Sequence, residues 1–288
     1  MDFTIITPSL GQLDHLACCI ASVADQEGVK VEHIIQDGGT EGFTDFAKQM
    51  ALQWPDRNGY RRIMVSERDG GMYEAINRGL KRATGKVCAY LNCDEQYLPG
   101  ALSMVWASFQ EKPLVEVFLG DVIVVAVDGS PICHRKMIRP GLAHTWTCHF
   151  AGLTAGIFFR YHLIEQEFVF DTSYKVVSDA DWFVRLLRNG KNIQCLRKAT
   201  STFMESGENL GLSPAAKKER SRLDASAPGH FRRLWFVWVW WHRVRRFLSG
   251  AHRKENVAYD LYLPKKEGRK AFHATRLRTT WPGRIWGR

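Results

Sequence analysis

Four groups of acidic residues stand where carboxylates could do chemistry, each at the end of an apolar run or the start of a helical one. The first is Gln36-Asp37-Gly38-Gly39-Thr40, which follows the apolar run beginning at Val31. An acid beyond the carboxyl end of a strand can accept a hydrogen bond from a base or a ribose, and the glycines keep the backbone open. An Asp-Gly turn accounts for the same residues without a ligand. The second group runs from Ser66 to Gly79 and carries Asp69-Gly70-Gly71-Met72-Tyr73 into a helical pattern. Amides at that helix start could face an anionic group, or simply be capped.

The third group is Asn92-Cys93-Asp94-Glu95, at the end of a buried-looking strand. Two adjacent carboxylates are costly to pack together unless a cation or solvent screens them, so Asp94 and Glu95 suit a Mg²⁺ or Mn²⁺ shared with phosphate oxygens. An exposed acidic loop is the alternative. In the fourth, Ser178-Asp179-Ala180-Asp181, both acids lie at a helix start, where the dipole favours carboxylates. A general base also needs a rigid element to hold it, so Asp179 or Asp181 suits that task.

Positioning these acids requires strands that alternate with helices. Short apolar runs predict strands over Phe3–Thr7, Val31–Gln36, Arg62–Val65, Val87–Leu91 and Val117–Val125. Helical patterns fall between them at Leu13–Asp25, Thr44–Gln53, Tyr73–Ala83 and Pro99–Phe109, the last begun by a proline suited to a first turn. That alternation predicts an α/β fold with a mostly parallel sheet flanked by helices. Gly129 to Gly156 is looser and reads as a substrate-lining region, and Asp179–Asn189 reads as a helix stopped by Gly190.

Composition bounds the function classes. An apolar content of 45% supports a packed core and argues against global disorder. The net charge of +10 is unevenly placed: residues 1–216 carry −4 and residues 217–288 carry +14. The body is therefore acidic, and only the tail suits an anionic partner. Seven scattered cysteines without a C-x-x-C pair read as thiols in a reducing compartment, and adjacent Cys-His pairs at 133–134 and 148–149 do not make a metal site, since neighbours in a strand face opposite ways. No charged-then-apolar leader follows Met1, so a cytoplasmic location is expected.

The order of the four acidic groups resembles the family-2 inverting glycosyltransferases of the GT-A fold, in particular bacterial enzymes that build surface or exported polysaccharides. The resemblance covers Thr4 to about Asn209, and Asp69-Gly70-Gly71-Met72-Tyr73-Glu74-Ala75-Ile76-Asn77-Arg78-Gly79 is its most specific stretch. It implies a GT-A domain over residues 1–212 and a basic, Trp/Arg-rich helical extension over 213–288. It further implies that Thr7, Pro8 and Ser9 hold the nucleotide, that Asp37 contacts the base, and that Asp69, Gly70, Asn92 and Asp94 bind the donor. Asp94 and Glu95 fall on the metal motif, with Glu95 one methylene longer than the usual Asp. Asp179 falls on the catalytic base, and Asp181 stands in reserve because Ser178 replaces a common Glu.

What the resemblance implies is transfer from a UDP- or GDP-sugar to a saccharide or lipid-linked saccharide, assisted by Mn²⁺ or Mg²⁺. Two rivals are weaker. A sugar-phosphate nucleotidyltransferase would carry a basic Gly-rich loop near its first strand, and Thr7-Pro8-Ser9-Leu10-Gly11 lacks the basic residue. A nucleic-acid-binding protein would use the basic tail, but the acidic body argues against it. Within the tail, residues 230–253 set arginines around Trp235, Trp238, Trp240 and Trp241. Such a helix suits the anionic surface of a cytoplasmic leaflet, or packing on the body. Its longest apolar run has eight residues, against the roughly 20 needed to span a bilayer.

Overall fold

In a computed structural model that describes residues 1–207, 211 and 213–282, the chain enters directly on a strand. The expected end of the resemblance at Asn209 and the boundary at Leu212 lie outside the described residues. The first half runs β1 (Phe3–Ser9), α1 (Leu13–Ala24), β2 (Val31–Asp37), α2 (Phe43–Gln53), β3 (Tyr60–Ser66), α3 (Met72–Arg82), β4 (Val87–Tyr90), β5 (Gln96–Tyr97) and α4 (Ala101–Glu111). It continues through β6 (Val117–Ala126), β7 (Pro131–Arg135), α5 (Leu142–Thr147), β8 (Ile157–Arg160), α6 (His162–Glu165), α7 (Ser178–Arg188) and β9 (Ile193–Glu205). The extension forms α8 (Pro214–Ala225), α9 (Gly229–Arg233), α10 (Trp235–Leu248), β10 (Glu255–Tyr262) and β11 (Arg269–Leu277).

A nine-stranded sheet in the order β3-β2-β1-β4-β8-β6-β9-β5, with β7 on β6, is the centre of the molecule. The pairs joining β3, β2, β1 and β4 are parallel, as the alternating pattern predicts. Beyond β4 the sheet is mixed, because β8 runs antiparallel between β4 and β6 while β9 returns parallel to β6. β1 and β2 are buried along their whole length, and their polar side chains are paired inside the sheet: Thr4 Oγ1 donates to Glu32, and Thr7 lies against His33. Register places Ser9 beside Asp37 and Asp37 beside Ser66, so the carboxyl ends of three strands form one edge.

α3 lies across this edge with Tyr73, Ala75, Ile76, Gly79 and Leu80 buried, a face of 3.6-residue period. Gly79 allows the close approach: a Cβ there would come within 2.6 Å of the Ile6 side chain. α4 begins at Ala101 rather than at Pro99, since Gly100 adopts a left-handed φ of 69° that no helical residue shares. Gly190, with φ 67°, stops α7 as expected.

The extension is not wholly helical. β10 and β11 pair as an antiparallel hairpin that docks on the body. Arg269 grips Asp25 through Nε at 2.6 Å and Nη2 at 2.8 Å, and also donates to the Tyr97 carbonyl. Gln96 exchanges two 2.9 Å hydrogen bonds with the Tyr262 backbone. All seven cysteines are thiols. Among the described residues, no helix is long and apolar enough to cross a membrane.

Candidate active site

Asp37, at the end of β2, is fully buried and shapes its own loop. Its carboxylate accepts from the Gly39 and Thr40 amides at 2.9 and 2.7 Å, from the Thr40 hydroxyl at 2.5 Å and from Ser66 Oγ at 2.7 Å. Thr40 Oγ1 in turn accepts from the Gly11 amide, and the Ser9 carbonyl accepts from Gly38. The loops after β1, β2 and β3 are thereby tied into one rim. Thr7 does not face it: its hydroxyl lies against His33 Nε2 at 2.9 Å and Cys19 Sγ at 3.6 Å inside the sheet. Pro8 is buried, and Ser9 Oγ is buried at the rim with no hydrogen-bond partner.

Asp69 reaches the same rim, since a Cβ on Gly38 would stand 3.3 Å from Asp69 Oδ2. The glycine amides that looked open are taken by the chain's own carboxylates. Asp69 Oδ1 accepts from Gly71, and Glu74 Oε2 accepts from Gly70, both at 2.8 Å. The Gly70 carbonyl accepts from Lys175 Nζ at 2.7 Å, which joins this loop to the approach to α7.

The acid pair after β4 splits into two environments. Glu95 is fully buried and accepts from the Asn92 amide at 2.9 Å and from Thr154 Oγ1 at 3.3 Å. Burial first, and then the Asp94 charge, push its carboxyl up to about 8 against those hydrogen bonds. Asp94 is half-buried, and burial raises its carboxyl too, while His15 opposes the rise. A narrow pocket beside Asp94 is walled by His15 and Gln96 and, from the extension, by Tyr262 and Leu263. A more open cavity of about 410 Å³, lined by Pro131, Ile132 and Arg278 among others, holds none of these acids.

Asp179 and Asp181 are separated by about 200° around α7. Asp179 is half-buried; its Oδ1 accepts from the Ala180 amide at 2.8 Å, and its own amide donates to Tyr73 Oη at 3.3 Å. Burial raises its carboxyl, opposed by the Ala180 hydrogen bond and by the charge of Arg220. Asp181 instead pairs with Arg185 Nε at 2.8 Å along the helix surface. It is therefore turned to its own helix surface, whereas Asp179, the first candidate for the base, sits against Tyr73. Tyr73 stacks on Phe170 at 5.4 Å and Tyr90, at the end of β4, meets the same ring edge-on at 5.3 Å, so the strand that leads to Asp94 and the helix start that carries Asp179 are joined through one aromatic cluster.

A model of glycosyl transferase family 2 matches residues 4–159, more than half of the chain. The chain belongs to glycosyl transferase family 2. A PGL/p-HBAD biosynthesis glycosyltransferase of Mycobacterium bovis (strain BCG / Pasteur 1173P2) is 29% identical over 192 residues, covering 65% of this chain and 70% of its own. Staphylococcus aureus TarS 1-349 in complex with UDP-GlcNAc superposes with a TM-score of 0.60 at 17% identity, over 87% of this chain and 75% of that one. The Pyrobaculum calidifontis mannosyltransferase PcManGT, in complex with GDP-Man and Mn²⁺, gives 0.55 at 15% identity, over 85% and 71%. These last two likenesses show the GT-A fold.

Within this glycosyltransferase, the fit of a divalent cation rests on two observations. Asn92 Oδ1 is buried with no hydrogen-bond partner, and the neighbouring Asp94 carboxylate is the acid of the pair on the more open side. Both are hard oxygen donors of the kind Mg²⁺ and Mn²⁺ take. Glu95, turned to Asn92 N and Thr154, fits the role of a loop lock better than that of a ligand. Among the described residues, no group of three or more His, Cys, Asp or Glu is placed to hold a metal by itself. Oxygens of a bound diphosphate would have to complete the shell.

Sequence reasoning missed Thr154, Glu219 and Arg220, and took Tyr73 and Tyr90 only as parts of motifs. It also missed three stacked imidazoles beside α10: His144 and His242 lie 4.1 Å apart in parallel, and His149 meets His144 edge-on at 4.6 Å. Burial lowers all three, His144 to about 4 and His242 to about 3, so they are neutral at physiological pH. No spacing in the sequence joins residues 144, 149 and 242; only the packing of α10 on α5 does.

Proposed function

We propose that this glycosyltransferase moves a sugar from a UDP- or GDP-sugar to a saccharide or lipid-linked saccharide with inversion at the anomeric carbon. The observation that carries the reading is the bond from the Asp179 amide to Tyr73 Oη, which ties the start of α7 to the helix after the Asp69 loop, with Tyr73 and Tyr90 packed on the same Phe170 ring. In this reading Asp37 and Asp69 line the nucleoside rim, and Ser9 Oγ offers a hydroxyl there. A divalent cation, when held by Asp94 and Asn92 Oδ1, would neutralise charge on the leaving diphosphate.

Asp179 takes the proton of the acceptor hydroxyl as that oxygen bonds to the anomeric carbon. The bond from that carbon to the diphosphate breaks on the opposite face, and its electron pair leaves with the nucleotide. A single displacement of this kind inverts the centre. Burial makes Asp179 a stronger base than a solvated carboxylate, provided it is ionised when the acceptor arrives. The test supplies UDP-GlcNAc and GDP-mannose with Mn²⁺ or Mg²⁺ and follows nucleotide release, with the anomeric configuration of the product read by NMR. Retention of configuration would overturn the mechanism.

The membrane role of the extension finds its support in α10. Phe236, Trp240 and Phe247 are 56%, 63% and 74% exposed, at spacings that place them on one face with Arg243. The opposite face buries His242 and Arg246. Arg245 and Arg246 donate to the carbonyls of Arg139 and Lys136, so these two arginines serve the body rather than headgroups. An aromatic face rimmed by arginine suits an anionic lipid surface on the cytoplasmic side, where a lipid-linked acceptor would lie.

A further inference from the structure

We propose that α8, part of the basic extension, is a positioning element of the catalytic site: Glu219 fixes the backbone that delivers Asp179. The inference rests on the reading of Asp179 as the base.

Three consecutive backbone amides converge on Glu219. Lys175 donates to Oε1 at 2.7 Å, while Val176 and Val177 donate to Oε2 at 2.9 and 3.1 Å. Successive amides point to one acceptor only where the chain is curled, so this carboxylate fixes the approach to α7 one residue before its first turn. Arg222, three residues on and on the same side of α8, sits 3.9 Å over the Tyr174 ring and donates to the Ser173 carbonyl. α8 thus grips the loop at both ends, and Lys175 Nζ on Gly70 O couples that loop to the donor rim.

Arg220 follows Glu219 by about 100° around the helix and points elsewhere. Its guanidinium donates a 3.3 Å hydrogen bond to the Thr145 carbonyl, which ties α8 to α5 as Glu219 ties it to the approach to α7.

The test uses the full chain and two readouts. Glu219→Gln is expected to speed amide exchange at residues 175–177 and to lower kcat for nucleotide release from UDP-GlcNAc or GDP-mannose with Mn²⁺ about tenfold, with KM for the donor and the acid limb of kcat unmoved. Amide exchange unchanged in Glu219→Gln, or faster exchange with kcat unchanged, overturns the proposal. Full turnover in Asp179→Asn would instead remove the base reading, while the exchange measurement still decides whether Glu219 holds the approach to α7.

Discussion

Glu95→Gln is the substitution whose effect the structure fixes most closely. The folded protein holds the Glu95 carboxyl at about 8, against 4.5 for an unperturbed glutamate, chiefly because the side chain is fully buried. Between those two values the folded state keeps a proton that the unfolded chain has released. Stability therefore falls as pH rises through that window, by about 1.4 kcal/mol per pH unit, and the full cost is present above the folded value. From pH 5.5 to 7.5 this amounts to about 3 kcal/mol. Glutamine has the shape of the protonated acid: its oxygen can face the Asn92 amide, and its amide can donate to the Thr154 hydroxyl once that group turns to accept. The variant should therefore match the parent near pH 5 and exceed it by about 3 kcal/mol near pH 7.5. Urea unfolding at several pH values, without divalent cations, reads the difference directly. Parallel curves, within about 0.5 kcal/mol of a constant offset, would show that Glu95 does not hold its proton.

Three further outcomes are expected. Asp179→Asn should lower nucleotide release by about 10²- to 10⁴-fold, whereas Asp181→Asn, which loses only its helix-surface pair with Arg185, should stay within a few-fold and cost about 0.5 kcal/mol by thermal unfolding. Arg269→Ala leaves the Asp25 carboxylate without its bidentate partner, and a loss of about 2–4 kcal/mol is expected by chemical denaturation, with faster proteolysis of the β10–β11 hairpin. Replacing Phe236, Trp240 and Phe247 together by serine should abolish sedimentation with anionic vesicles while leaving the unfolding temperature nearly unchanged, since all three side chains are exposed. Sedimentation that is insensitive both to anionic lipid and to this change would overturn the membrane reading.

Much of the catalytic half was legible because it obeys local rules. β1 to β4 and the helices between them are short apolar or amphipathic runs, each punctuated by glycine or an acid, and the parallel βα pattern follows from that alternation. The second half obeys no such rule. β9 carries Arg197 and Lys198 in the middle of a strand that is exposed there; its register with β6 shifts across them and Arg197 takes a φ of 58°, so period-two alternation fails at a bulge. The β10–β11 hairpin was hidden by its charge, and its docking depends on Asp25, Tyr97 and Gln96, which lie more than 150 residues away in the chain.

For the site the division is sharper. The sequence by itself determined which residue types follow the strands and open the helices, because turns and helix starts favour glycines and acids whatever the surroundings: Asp37, Asp69 and Asp94 were readable after β2, β3 and β4, and Asp179 at the start of α7. Tertiary structure decided what each carboxylate is free to do. Asp181 looked equivalent to Asp179 until the turn of α7 gave it to Arg185, and Glu95 looked equivalent to Asp94 until burial closed around it. Glu219 and Arg220 had no local signal, since on a basic helix a Glu-Arg pair reads as solvated surface. Carboxylate chemistry depends on solvent access and on neighbouring charge, and both are set by residues distant in sequence, so only the folded chain could make the choice.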